Sequence, residues 1–410
     1  AAALRMLFGD RYARRFAIRL WDGTQVDAAE SEAFVLSVNQ AGALRTAFTP
    51  PLDLNAGRAF TAGLLDVEGD MEAAVDELLH AASRKRTPAA TLRIAALLRR
   101  LPPAPLPKLR EARLKGRRHS LARDRAAIGF HYDQPIEFYR AFLDRELVYS
   151  SAYFDDGIER LDEAQRAKIE HSLRKLRLSR GERLLDIGCG WGALVVHAAR
   201  EFGAYALGVT LSESQYAEAQ RRIADLGLSG RASVELWDYR RLPATTFDKI
   251  VSIGMVEHVG RAKLPEYFKV AYNLLKPGGL FLNHGIASED LGGAPSRFMD
   301  RFIFPDGELV DIAESLAVAH RAGFEVRDVE NLREHYARTL RMWVANLQAH
   351  RAAAVAAAGE ESYRAWMLYM AGSAQGFRSG RLAVYQSLLA KPGPNGRVAV
   401  PPTRRDLYAP

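Results

Sequence analysis

Leu184-Leu185-Asp186-Ile187-Gly188-Cys189-Gly190-Trp191-Gly192 decides how this 410-residue chain reads. A short apolar strand runs into three glycines, and the apolar-periodic stretch ALVVHAAREF follows at once as a helix. Glycines let backbone approach a ligand closely, and the carboxyl end of a strand is where open α/β sheets bind ligands. The spacing is G-x-G-x-G, not the G-x-G-x-x-G of pyrophosphate binders. Asp186 stands just before the glycines, where a carboxylate can hold the cationic amino-acid end of a ligand. The bland alternative is a turn with only a structural role.

Outward from this turn the strand–helix rhythm repeats. RLLDIGCG, YALGVTL, ASVELWD, FDKIVSIGM and GGLFLNHG read as strands, with helices in ALVVHAAREF, SESQYAEAQRRIADL and KLPEYFKVAYNLL. Repeated βα units imply a parallel sheet with helices on both faces. The second strand ends in Gly208-Val209-Thr210-Leu211-Ser212, followed by Gln215. Nucleotide-binding sheets usually place Asp or Glu there to grip ribose hydroxyls; this chain offers Thr210 and Gln215. The third strand ends in Trp237-Asp238, an indole and a carboxylate that suit an adenine ring and its amine. A tryptophan packed at a strand end is the alternative.

Composition bounds the rest. The chain is 48% hydrophobic and 26% charged, with net charge +8 and pI about 9.5. A basic balance points to an anionic partner or to a solvated basic surface. Cys189 is the only cysteine, which excludes an internal disulfide framework and a multi-cysteine metal site. No metal is expected. No stretch approaches the ~20 apolar residues that span a bilayer, and AAALRMLFGDRYARRF is too polar for a signal peptide. The expectation is a cytoplasmic protein that touches the inner face of a membrane peripherally, without a nucleic-acid partner.

Three regions are expected. Residues 1–83 form a small α/β unit, with strands in RRFAIRLWDG and EAFVLSVN and helices in PPLDLNAGRAFTAGLL and DMEAAVDELLHAA. Residues 84–118 are a basic linker with a dozen Lys and Arg against one acid, Glu111, broken by prolines 102, 103, 105 and 107. Residues 119–410 are the catalytic domain.

HYDQPIEFYRAFLDRELVYSSAYF, LLDIGCGWG, VTLSESQ, IVSIGMVEHVG, FLNHGIAS, FIFPDGEL and LREHYARTLRMW occur in that order. From about His131 to Ala390 this succession resembles the cyclopropane fatty acid synthase family, mycolic acid cyclopropane synthases included. The resemblance implies a Rossmann-like class I methyltransferase: a seven-stranded, mostly parallel sheet with a helical acyl-binding cap. It implies S-adenosylmethionine held by Tyr149, Ser150, Asp186, Gly188, Cys189, Gly190, Gly192, Thr210, Gln215, Trp237 and Asp238. It implies a bicarbonate base caged by Ser151, Glu257, His284, Ile286 and Tyr336, with His284 and Tyr336 as donors and Glu257 as acceptor. The implied substrate is an unsaturated phospholipid acyl chain and the implied product a cyclopropane. Family members with an N-terminal extension suggest that the first domain is a lipid-docking module or a homodimer surface, and the basic segment 84–118 is expected to meet an anionic membrane surface or to be a solvated linker.

Two departures stand out. Family members usually carry cysteine where Ser151 stands, and Ser373 replaces a cysteine near the C-terminus. Covalent thiol catalysis is therefore not available at either place. A sulfonium methyl attacked by an alkene leaves a carbocation, which needs a dry pocket and aromatic faces; Tyr149, Tyr153, Phe154, Phe302 and Tyr336 are the candidates. The insert SEDLGGAPSRFMDRFIF at 288–304 resembles the cap, with Phe298, Met299, Phe302, Ile303 and Phe304 as its apolar face. A helical tail over 333–390, with Trp343, Trp366, Tyr369 and Phe377, completes lid and core. The alternatives are a methylene- or methyl-branched product, a small-molecule O- or N-methyltransferase, or a lipid-binding protein whose cofactor site has decayed.

Overall fold

FAIRL and FVLSV, rich in aromatic and β-branched residues, pair as parallel strands at the centre of a small sheet. The computed structural model describes residues 2–8, 15–28, 32–289, 296–398 and 400–408. Strands β1 (Phe16–Leu20), β2 (Gln25–Val26), β3 (Phe34–Val38) and β4 (Leu65–Gly69) lie in the order β2-β1-β3-β4, with β2 and β4 antiparallel to their neighbours. Helix Met71–Ser83 starts at Asp70, whose Oδ1 accepts the Ala73 N–H at 3.0 Å. Part of the expected linker folds as well. Helix Pro88–Arg99 is capped by Thr87, and its Ile94 and Leu98 join the core of Phe16, Ile18, Leu36 and Leu44. The prolines after Leu101 end it, and no helix or strand follows until Leu121.

The chain divides into two compact units, and their composition departs from the expected boundaries. The first takes Ala1–Arg113 together with Ala294–Ile303 and Leu347–Gln375; the second takes the rest. Late segments join the first unit because they complete its packing and pairing. A Cβ at Gly57 would lie 2.2 Å from the Phe298 ring, so only glycine leaves room for it. Arg364 pairs with Asp66 at 3.0 Å, and Gln375 donates to Asp76 at 2.7 Å. The expected cap is split accordingly. Residues 290–295 lie outside the described residues; Phe298 stacks on Phe302 at 5.0 Å in the first unit, while Phe304 approaches His131 at 4.0 Å in the second.

The second unit carries strands β5 (Arg183–Ile187), β6 (Tyr205–Val209), β7 (Ala232–Glu235), β8 (Phe247–Ile253), β9 (Leu275–Ser288), β10 (Glu325–Asn331) and β11 (Leu382–Ala390). Their order is β10-β11-β9-β8-β5-β6-β7, parallel from β9 through β7, with β11 antiparallel to both of its neighbours. The class I methyltransferase fold is thus present. One expectation fails: 382–390 is strand, not helix. LAVYQSLLA alternates across the sheet, with Leu388 in one core and Leu389 in the other. The same alternation splits Leu184 from Leu185 and Leu282 from Phe281. Helices Leu161–Lys175, Ala193–Glu201 and Glu213–Asp225 cover one face; Leu264–Leu274 and Ile312–Arg321 cover the other. Sequential strands leave β5 in opposite directions, so the switch point lies between β5 and β8, where such sheets bind ligands.

Candidate active site

At that switch point the chain after β5 makes the glycine turn. Gly188, Gly190 and Gly192 have φ of 84°, 55° and 82°, in the left-handed region that other residues avoid. The Gly188 and Cys189 N–H groups both donate to the Val209 carbonyl, at 2.9 and 3.0 Å, and tie the turn to β6. A cleft opens beside it. Tyr149, Ser150, Asp186, Gly188, Cys189, Gly190, Thr210, Gln215, Trp237 and Asp238 all line it. Gly192 does not: it begins helix Ala193–Glu201 and backs onto Ala219, 3.1 Å from where its Cβ would be. Its place is at the helix start, packed on Ala219.

Side chains at the cleft are already ordered. Thr210 Oγ1 donates to Gln215 Oε1 at 2.7 Å. Trp237 is 45% exposed, so its indole is open to a ligand. Asp238 is less free than expected: Arg240 grips both its oxygens, at 2.9 and 2.6 Å, and also bonds Asp124 at 2.9 Å. Tyr149 sits in an aromatic nest, 5.2 Å from Trp343, 5.6 Å from His131 and 6.0 Å from Tyr139.

Sequence reasoning missed Lys168. This lysine is only 2% exposed, lines the cleft, and donates to Ser150 Oγ at 2.8 Å. Burial pulls its pKa down to about 8, opposed by the charges of Asp144 and Asp186. Burial likewise pushes Asp186 up to about 7, opposed by Lys168. The available signal was the helix QRAKIEHSLRK, where Gln165, Lys168, Ser172 and Lys175 recur at helical spacing and all four are buried.

The five expected cage residues do not line this cleft; backbone hydrogen bonds and strand register relate them to it and to one another. Ser151 follows Ser150 directly. Gly254, which lines the cleft, donates its N–H to the His284 carbonyl at 2.9 Å. Glu257 Oε1 accepts the Ile286 N–H at 2.7 Å, on the strand that carries His284. Tyr336 follows Leu332, whose N–H bonds Val384, the register partner of Ile286. Ala152 N–H bonds Thr339, three residues beyond Tyr336, at 3.0 Å. Among the described residues, Glu257 Oε2 and His284 Nε2 are buried without a hydrogen-bond partner. Burial pushes Glu257 up to about 7 and holds His284 well below the usual imidazole value, hence neutral. The Ser151 hydroxyl is committed to the Ala152 carbonyl at 3.0 Å. Of the aromatic candidates, Tyr153 is stacked between His171 and His335, at 4.3 and 4.7 Å, and Phe154 lies under Arg338.

The family model for mycolic acid cyclopropane synthetase matches residues 119–387. The chain belongs to that family. Its members are S-adenosylmethionine-dependent methyltransferases, and the glycine turn, the buried Asp186 and the open Trp237 fit that cofactor. Among the relatives of this chain is a Pseudomonas putida protein named "Probable fatty acid methyltransferase", 38% identical over 402 residues, 95% of each chain. Cyclopropane mycolic acid synthase 1 of Mycobacterium tuberculosis is 38% identical over 276 residues, 64% of this chain and 95% of that one. Among solved structures, mycolic acid cyclopropane synthase CmaA1 complexed with SAH and CTAB superposes with TM-score 0.61 and 37% identity, covering 65% of this chain and 98% of that one.

Proposed function

We propose that this enzyme transfers a methylene unit from S-adenosylmethionine to the cis double bond of an unsaturated fatty acyl chain of a membrane phospholipid, giving a cyclopropane. The observation that carries the reading is that Glu257 Oε2 and His284 Nε2, side-chain atoms of two expected cage residues, are both buried without a hydrogen-bond partner among the described residues. A carbocation reaction has no use for stray water, and buried polar atoms left without partners call for an occupant of their own. Bicarbonate, when bound, would supply the base that takes a proton from the newly delivered methyl. The chain's part is to hold it. His284 and Tyr336 donate, Glu257 takes the hydroxyl through Oε2, and the backbone at Ser151 and Ile286 borders the ion. Asp186 holds the cofactor's ammonium, and Tyr149 offers an aromatic face.

An ordinary fatty acyl chain is favoured over a mycolic acid because the P. putida relative aligns along 95% of this chain, first unit included, whereas the mycolic acid synthase aligns along 64%. The dozen basic residues of 84–118 suit docking on anionic headgroups at the inner face of a membrane, each worth about 1 kcal/mol near the surface. A second reading, a methylene or methyl branch, draws on Ser151, whose spent hydroxyl proton offers nothing in place of the usual cysteine. Incubation with unsaturated phospholipid vesicles and labelled cofactor, followed by NMR of the released fatty acids, separates these readings. Ring-proton signals are expected; olefinic methylene signals favour the branch, and label found only in soluble acceptors overturns both.

A further inference from the structure

His284 and the cofactor cleft are linked by a short run of fully buried hydrogen bonds. Lys168 Nζ donates to Ser150 Oγ at 2.8 Å. One helical turn on, Ser172 Oγ lies 2.8 Å from the Lys168 carbonyl. The Gln386 amide, on β11, lies 3.1 Å from Ser172 Oγ and 3.2 Å from His284 Nδ1. Ser172 and Gln386 are both wholly inaccessible, and the amide oxygen Gln386 Oε1 has no partner among the described residues.

Proton accounting along this run leaves one solution. A carbonyl oxygen only accepts, so the 2.8 Å contact consumes the single Ser172 hydroxyl proton. Toward Gln386, Ser172 Oγ can then only accept. The amide must present its NH2 there, since two bare oxygens 3.1 Å apart would repel. The same NH2 faces His284 Nδ1, and an amide nitrogen only donates. Nδ1 is therefore bare, and a neutral His284 carries its proton on Nε2.

We infer that Gln386 is a positioning residue that fixes His284 in the Nε2–H tautomer, so that the buried Nε2 acts as a hydrogen-bond donor and not as the base of the reaction. Nε2 is the atom left without a partner among the described residues. A buried N–H seeking an acceptor suits an oxyanion. It cannot take a proton from a substrate carbon. As a statement about the reaction this rests on the function proposed above; as a statement about the tautomer it does not.

The test is NMR of the full-length protein with 15N-labelled histidine, the His284 signals being assigned by their loss in His284→Gln. Wild type is expected to show a neutral ring protonated at Nε2. A ring protonated at Nδ1, or an imidazolium, at neutral pH overturns the inference whatever the enzyme's activity. Gln386→Glu replaces the donor by an acceptor and should move the proton to Nδ1. Turnover should then fall by about two orders of magnitude or more, as wrong-tautomer histidines do, with KM for S-adenosylmethionine unchanged. Gln386→Met, close in volume, tests the same point without a buried charge. It should lose the tautomer preference and show an intermediate kcat, and an unaltered Nε2–H spectrum in that variant also overturns the role given to Gln386. Failure of the lipid reading shows separately, as absence of cyclopropane product with the wild-type tautomer intact.

Discussion

Asp186 and Lys168 share one buried corner, and each shifts the other's charge. A protonated Asp186 cannot hold an ammonium group, so S-adenosylhomocysteine affinity should rise with pH through about 7, the value to which burial pushes Asp186. The rise should approach tenfold per unit below that point. Lys168→Met removes the charge that restrains Asp186 and should move the midpoint upward. Calorimetry at several pH values reads both, and a flat profile contradicts the assignment. Glu257 gives a stability prediction. Its folded pKa, about 7, lies above the unfolded 4.5. The protonated carboxyl thus favours the fold below about pH 4.5, and that contribution is lost as pH rises through about 7. Glu257→Gln stays neutral throughout. It should match wild type near pH 5 and be more stable at pH 8, by up to about 3 kcal/mol, in urea titrations. Asp186 was legible from its place before the glycines. Gln386 was not, because a buried glutamine carries no local pattern; Lys168 left only the helical recurrence of polar residues in QRAKIEHSLRK, and tertiary neighbours alone show its partners.

The glycine turn divides its work between folding and binding, and two alanine substitutions separate these. At Gly188, φ is 84° and a new Cβ would sit 3.0 Å from Met255 Cγ. Gly188→Ala should lower stability by about 1–3 kcal/mol. At Gly190, φ is 55° and nothing lies within 4 Å of a new Cβ, because that space is the cleft. Gly190→Ala should cost roughly 1 kcal/mol in stability yet weaken S-adenosylhomocysteine binding at least tenfold. Thermal shift with and without ligand compares them. Strands β5 to β9 were readable because each is a short apolar run between turns. EVRDVEN and LAVYQSLLA were not read as strands: β10 is mostly polar, and β11 joins a helical-looking tail. Helix Pro88–Arg99 was hidden by the surrounding basic and proline-rich composition, although Thr87 and Pro88 form a recognisable start signal.

Taken whole, the molecule's excess positive charge has a measurable consequence under the proposed reading. Raising NaCl from about 50 to 500 mM shortens the Debye length and should cut the rate on anionic vesicles by an order of magnitude or more. Binding of S-adenosylhomocysteine in the absence of vesicles should change little. Equal rates at both salt concentrations would remove electrostatic docking from the account. Among the described residues no helix is long and apolar enough to cross a membrane.

Strand β11, last in sequence, lies between β9 and β10 and pairs with Leu280–Ser288 along its length. A nascent polypeptide emerging from the ribosome therefore holds β9, with His284 on it, as an unpaired edge until Leu382–Ala390 has been translated. Premature termination anywhere before Leu382 would leave that edge open to another chain. Such fragments should aggregate, and catalytic competence should arrive only once Leu382–Ala390 has been made.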